Sequence, residues 1–256
     1  MSVPNARIEE RKRVATITKL LRSKDRKVAN AVTPNGKQAS IANTFGLPAG
    51  KAYSCPGATS VCESVCYAGK LEKVFPTVKK NLLHNWELLR NADTDTMIKL
   101  LEEMISDFIL DCDKRNAPKL FRIHWDGDFF NDTYTYAWKT VITNHADIQF
   151  WVYTRVKSAA LILKDIDNLS LYYSTDSENK AIGIGLKTEH GISLAYLAKN
   201  FALGQSDMKE LTSRPGAKCP ENKKSIPLIS QKGSACASCK LCIYEKSDIV
   251  FSATKK

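Results

Sequence analysis

KLFRIHWDGDFF, residues 119–130, runs through β-formers from Lys119 to Trp125 and then breaks at Asp126-Gly127-Asp128. Branched and aromatic residues closed by Asp and Gly read as a strand and its exit turn. The pattern then repeats. Asp132–Thr143 reads as a helix and Ile148–Tyr153 (IQFWVY) as a strand ending in Thr154-Arg155. Ser158–Lys164 is a short helix, and Leu169–Tyr173 a strand ending in Ser174-Thr175-Asp176. Ala181–Leu186 is expected as a fourth strand and Ser193–Phe201 as a helix. Strands alternating with helices predict parallel β/α units, whose function collects at the carboxyl ends of the strands. The polar endings therefore name a shared ligand site. His124 and Asp126 are its candidate acid/base groups, although a His at a strand end also serves as a structural hydrogen-bonder. Gly127, Asp128, Thr154, Arg155, Ser174 and Asp176 are its candidate cofactor contacts.

Upstream lies SCPGATSVCESVCYA, Ser54–Ala68. Cys55, Cys62 and Cys66 form a C-x6-C-x3-C arrangement followed at once by Tyr67. Pro56 and Gly57 put Cys55 on a loop, and the spacing of Cys62 and Cys66 puts both thiols on one face of a helix. A loop thiol beside two helix thiols is a cradle for a metal, and three ligands leave one coordination position open for chemistry.

The chain ends in a second cysteine group: Cys219-Pro220, then Cys236, Cys239 and Cys242 as C-x2-C-x2-C. Four thiols in this pattern satisfy an iron–sulfur cluster of ferredoxin type, and equally a structural zinc. Cys112 has no cysteine neighbour in sequence and is expected to be structural.

Between these landmarks, Pro76–Ala92 and Asp95–Lys114 read as helices, the second with a stripe of Met97, Leu100, Leu101, Met104, Phe108 and Ile109. Residues 7–22 read as a loosely periodic helix, and Val28–Val32 and Gln38–Phe45 as strands around Pro34-Asn35-Gly36. Leu47-Pro48-Ala49-Gly50 delivers the chain to the first cysteines.

With 256 residues and 43% hydrophobic composition, the chain can bury a core. No run reaches the roughly 18 to 20 apolar residues of a membrane span, and the N-terminus lacks the apolar core of a signal peptide. A cytosolic protein with no membrane partner is expected. Reduced thiols are the rule there, so eight cysteines point to metal rather than disulfides. The net charge is +11, and residues 1–30 carry nine Lys/Arg against Glu9, Glu10 and Asp25. Such a segment attracts nucleic acid or simply remains a solvated basic face.

The stretches LPAG (47–50), CPGATSVCESVCYA (55–68), RIHWDGDFF (122–130), FWVYTR (150–155) and YYSTD (172–176), with the terminal cysteines, together resemble a phage family, the "gene product eighty-eight" type. The resemblance spans roughly residues 40–245 and implies a phage, prophage or plasmid source. More distantly, the order of parts is similar to radical S-adenosylmethionine enzymes. That resemblance implies a partial (β/α) barrel in which three cysteines hold a [4Fe-4S] cluster, its open iron binding S-adenosylmethionine. Asp126-Gly127-Asp128 falls where the second strand of that superfamily receives the cofactor's amino group. Thr154-Arg155 and Ser174-Thr175-Asp176 fall where the next two strands contact it, with Asp128 and Ser174 positioning the cofactor. The cysteine spacing departs from the superfamily's C-x3-C-x2-C. The terminal cysteines would hold an auxiliary cluster.

The expected organisation is α/β: a basic segment (1–38), a partial (β/α) barrel of mainly parallel strands with the three-cysteine loop (39–205), and a cysteine-rich C-terminal metal module (206–256). The expected function is an iron–sulfur enzyme of radical-S-adenosylmethionine type, served by an electron donor and acting on nucleic acid or another anionic substrate. The rival is a non-catalytic protein, stapled by zinc or iron–sulfur sites, that binds DNA or a host protein.

Overall fold

The computed structural model describes residues 18–254. Its centre is one seven-stranded sheet in the order β3-β4-β5-β6-β7-β11-β8, with every neighbouring pair parallel. The strands are β3 (Thr44–Gly46), β4 (Leu120–Asp126), β5 (Gln149–Thr154), β6 (Leu169–Thr175), β7 (Ser193–Ala198), β8 (Ala217–Lys218) and β11 (Ile249–Ser252). From β3 to β7 spatial order follows chain order. Each step is made through helix: α1 (Ser60–Val65), α2 (Tyr67–Val74), α3 (Pro76–Leu89) and α4 (Thr94–Arg115), then α5 (Asp132–Asn144), α6 (Lys157–Leu163) and α7 (Lys180–His190). After β7 comes α8 (Phe201–Thr212).

Period-two alternation gives each strand two faces. Phe121, Ile123, Phe150, Val152, Leu171, Tyr173, Leu194, Tyr196 and Val250 face one way. They form the main core with Leu101, Phe108, Trp138, Ala160, Leu186 and Met208 of the helices. Leu120, Trp151, Tyr153, Tyr172, Ala195 and Ile249 face the other way, against Val28, Leu241, Cys242 and Ile243. A small hairpin, β1 (Asn30–Val32) with β2 (Gln38–Ser40), and a second, β9 (Ile229–Ser230) with β10 (Gly233–Ser234), lie outside the main sheet. The last helix is α9 (Ala235–Cys239).

Several expectations are corrected. Ala181–Leu186 is helix α7, not a strand; its Ile-Gly-Ile-Gly alternation hides a helical face of Gly183 and Leu186, both buried. A Cβ on Gly183 would lie 3.0 Å from Thr175 Oγ1, so the glycine lets α7 approach β6. The stretch Ser193–Phe201, expected as a helix, holds strand β7 over Ser193–Ala198, and helix α8 starts only at Phe201. Gln38–Phe45 is split between β2 and β3. The helix expected over 7–22 lies mostly outside the described residues, and Lys19–Arg22 is not helical. There Asn85 takes both backbone groups of Leu21 (2.8 and 3.0 Å), and Ser23 N donates to Thr44 O at 2.7 Å. The C-terminal segment does not stand apart: the boundary expected at 206 falls inside α8, and β11 inserts between β7 and β8.

Two helix glycines separate packing from propensity. A Cβ on Gly204 of α8 would meet Val250 Cγ1 at 2.5 Å and Ala198 Cβ at 3.0 Å, whereas one on Gly185 of α7 would meet only Glu189 Oε1, at 3.7 Å. Gly204→Ala should cost about 1–3 kcal/mol by overpacking against a stiff β-branched neighbour. Gly185→Ala should gain up to about 1 kcal/mol of helix propensity. Urea unfolding distinguishes them; an unchanged Gly204→Ala protein would mean that α8 does not seat on Val250.

Candidate functional site

The three-cysteine loop leaves β3 and lands on the carboxyl ends of β4, β5 and β6. Leu47 N still donates to Asp126 O (3.0 Å), and Ser54 Oγ donates to Pro48 O (2.8 Å) while receiving Asp128 N (3.3 Å). Gly127 allows this approach: its φ is +83°, and a Cβ there would overlap Ser54 Oγ and lie 2.8 Å from Leu47 O. Thr59 caps α1, accepting Cys62 N at 3.0 Å, and donates to Asp176 Oδ2 at 2.5 Å. Ser60 binds Glu178. Cys66 ends α1 and caps α2, its Sγ accepting Gly69 N at 3.3 Å. Sequence spacing had placed Cys62 and Cys66 on one helix; they fall at the start and end of a single short one.

The strand-end groups converge, mostly on each other. Asp128 is buried; its carboxylate accepts Thr154 Oγ1 (2.6 Å), Phe129 N (2.8 Å) and Arg155 N (2.8 Å). Burial pushes its pKa up to about 6 against those hydrogen bonds. Arg155 Nη1 pairs with Asp176 Oδ2 at 2.6 Å, both side chains nearly inaccessible. Asn179 Nδ2 donates to the Ser174 carbonyl. Asp126 differs: it is 3% exposed, and neither carboxylate oxygen has a hydrogen-bond partner. Burial, and then the Glu72 carboxylate beside it, push its pKa well above the ordinary carboxylate range. Glu72 is itself held by Ala49 N at 2.8 Å.

His124 serves the core instead. A φ of +60° places it in a bulge, where Thr44 pairs with Arg122 but Gly46 with Asp126. Its ring packs among Phe45, Phe129, Tyr134 and Trp138, with Nε2 2.9 Å from Tyr134 Oη. Burial, then Arg122, lower its pKa to about 3, so the imidazole is neutral at ordinary pH and poorly suited to proton exchange.

The other four cysteines lie on the sheet face opposite the helices. Cys219 follows β8, Cys236 and Cys239 belong to α9, and Cys242 follows it. All four line one cavity of about 20 Å³, together with Ile226, Ile243 and Ile249. Every cysteine is free of disulfides, and Cys112 is buried in the helix layer as expected. Burial raises the pKa of Cys55, Cys62, Cys219 and Cys236, and pushes Cys242 up to about 12, so these thiols keep their protons at neutral pH. Among the described residues, no group of three His, Cys, Asp or Glu side chains is set to hold a metal ion. Ligation at either cysteine set requires the thiols to turn toward a common centre.

Sequence reasoning missed the groups joining the two sets. Tyr67 Oη donates to Trp125 O (2.9 Å), and Lys27 Nζ lies 5.2 Å from its ring centre. Arg122 binds Asp25 (2.7 Å) and donates to Tyr67 Oη (3.5 Å), with its guanidinium 5.7 Å from the centre of the Tyr153 ring. The charges of Arg122 and Lys27 act on Cys236. Only the position of Tyr67 directly after Cys66 could have drawn attention to this layer.

These features define an α/β protein with a singly ordered parallel sheet, a cysteine loop on its strand ends and a second cysteine group beneath. The chain belongs to the Gene product 88 family, whose model matches residues 18–245. It is 51% identical over 245 residues to the Gene 88 protein of Mycobacterium phage L5, covering 94% of this chain and 100% of that one. Against the Gene 88 protein of Mycobacterium phage D29 it is 51% identical over 243 residues, covering 93% and 99%. No solved structure matches the chain. No helix among the described residues is long and apolar enough to cross a membrane.

The free carboxyl of Asp126 makes a pH prediction. Its raised pKa means that the folded protein holds a proton that the unfolded chain releases near pH 4. As pH rises from there, the unfolded state gains up to about 1.4 kcal/mol per pH unit until the folded carboxyl ionises. Asp126→Asn should therefore match the parent near pH 4 and become progressively more stable than it toward neutrality. Parallel urea midpoints check this; a difference independent of pH would show that Asp126 is already ionised in the fold.

Proposed function

We propose that this protein is an iron–sulfur enzyme of the radical-S-adenosylmethionine type, acting on an anionic substrate, with the reactive cluster held by Cys55, Cys62 and Cys66. The supporting observation is positional: a three-cysteine loop leaves the first strand of a sequentially ordered parallel sheet and docks on the carboxyl ends of the next three. When bound, a three-thiolate [4Fe-4S] cluster supplies an electron and an open iron site for the cofactor's amino acid group.

The chain's own residues hold and tune that site. Asp128, Thr154, Arg155 and Asp176 satisfy one another and clamp the loop rather than reaching for a ligand. Asp126 carries carboxyl oxygens with no partner, so it, and not Asp128, is the group placed to hydrogen-bond a ligand or exchange a proton. Gly127 keeps the passage between β4 and the loop closed to a side chain.

A second reading applies to Cys219, Cys236, Cys239 and Cys242. A cavity of about 20 Å³ is close to the space of one water molecule, which suits a single tetrahedral zinc better than a cubane. That site would then be a staple.

Anaerobic reconstitution with iron and sulfide tests both readings. Brown protein is expected, with a reduced-cluster EPR spectrum perturbed by S-adenosylmethionine. Cys62→Ala should abolish the iron and leave the fold, whereas Cys239→Ala should destabilise it, because a structural metal adds folding free energy. Colourless protein carrying only stoichiometric zinc would overturn the enzyme reading.

A further inference from the structure

Free positive charge is found outside the basic N-terminal segment as well. Among the described residues of the basic N-terminal segment, Lys19 pairs with Asp107, Arg22 with Asp111 and Lys27 with Glu221, while Lys24 and Arg26 are exposed and in no ion pair. A run of uncompensated charge also lies on α2 and the start of α3. Lys70, Lys73, Lys79 and Lys80 are exposed, and none takes part in an ion pair among the described residues. From Ser64 to Trp86 the sequence holds one acid, Glu72, and its carboxylate is turned inward onto Ala49 N.

Two apolar side chains stand among these lysines: Val74, 65% exposed, and Phe75, 50% exposed. Phe75 is not on a loose loop. It closes α2, its N donating to Leu71 O at 2.9 Å, and opens α3, its O accepting Lys79 N at 3.2 Å, with Pro76 fixing the next turn. A hydrogen-bonded junction thus presents an aromatic ring to solvent between two helices that each carry two exposed lysines. Lysines neutralise phosphates, and an exposed aromatic stacks on an unpaired base of any sequence. Duplex nucleic acid hides its base faces and offers such a ring nothing.

We propose that the α2–α3 junction, formed by Lys70, Lys73, Val74, Phe75, Lys79 and Lys80, binds single-stranded nucleic acid. The surface begins on the helix that Cys66 caps, Phe75 closing that helix about 13 Å along its axis from Cys66. As a substrate assignment this rests on the anionic-substrate reading above; as a binding surface it does not depend on what the cysteines hold.

The test is fluorescence anisotropy of labelled oligothymidylate on the full chain, as isolated and after reconstitution, across a salt series. The parent should bind it more tightly than a duplex of equal length, in both preparations. Replacing the four lysines by Gln should flatten the log–log salt slope by about 3, at about 0.7 per charge on a single strand. Phe75→Ala should weaken oligothymidylate about tenfold and leave duplex binding unchanged. All five positions are exposed, and unchanged urea midpoints would confirm intact folds. Three results would overturn the proposal: four-Gln protein that binds like the parent, a duplex bound as well as the single strand, or phosphatidylserine vesicles preferred to either. Binding without iron incorporation would instead defeat only the enzyme reading.

Discussion

Asp128 is the constraint on which the rest of the site depends. A carboxylate this deeply buried is costly unless its oxygens are satisfied. Here the hydroxyl of Thr154 and the backbone N–H groups of Phe129 and Arg155 satisfy it. The three donors come from the ends of two neighbouring strands, so satisfying one charge fixes the exit of β4 against that of β5. The turn after β4 carries Gly127, which lets Ser54 reach in, and the turn after β5 carries Arg155, which makes the connection to Asp176 and through it to Thr59. The cysteine loop is thus seated by a chain of polar contacts anchored on one carboxylate.

The sheet explains why one cysteine group sits at the strand ends and the other on a face. All the connecting helices from α4 to α8 pack on one face, which leaves the other an apolar surface of Leu120, Trp151, Tyr172 and Ile249. A parallel sheet is stable only with both faces covered. The covering here is mostly not helical; apart from the short α9, it is the segment around Val28 together with the chain from Cys219 to Ile243, which has little apolar material of its own. Four thiols, behaving as small apolar side chains, complete that layer. Arg122 lies between this layer and Tyr67 of the first cysteine loop, its charge balanced by Asp25.

Much was legible in the sequence because local chemistry and tertiary role agreed. The runs from Lys119 to Tyr173 are rich in branched and aromatic residues, end in turn-forming polar residues and are separated by helical spacing, so the parallel β/α order could be read directly. The cysteine spacings, the helices at 76 and 95, and the convergence of three strand ends came from the same agreement.

What only the tertiary structure decided were the places where one sequence pattern fits two environments. Ala181–Leu186 alternates like a strand, yet Gly183 is a contact point that lets a helix lie against Thr175. Lys19–Arg22 looks helical, yet Asn85 captures the backbone of Leu21 and holds it extended. His124, Asp126 and Asp128 follow one another along the chain as equivalent polar groups, and two left-handed residues, His124 and Gly127, with a bulge send them to three fates. His124 goes among aromatic rings, Asp128 into a closed hydrogen-bond set, and Asp126 to a buried position with both oxygens free. Sequence fixes which groups a strand end offers; only the register of its neighbours, and the partners that register brings within hydrogen-bond distance, decides which remains available for chemistry.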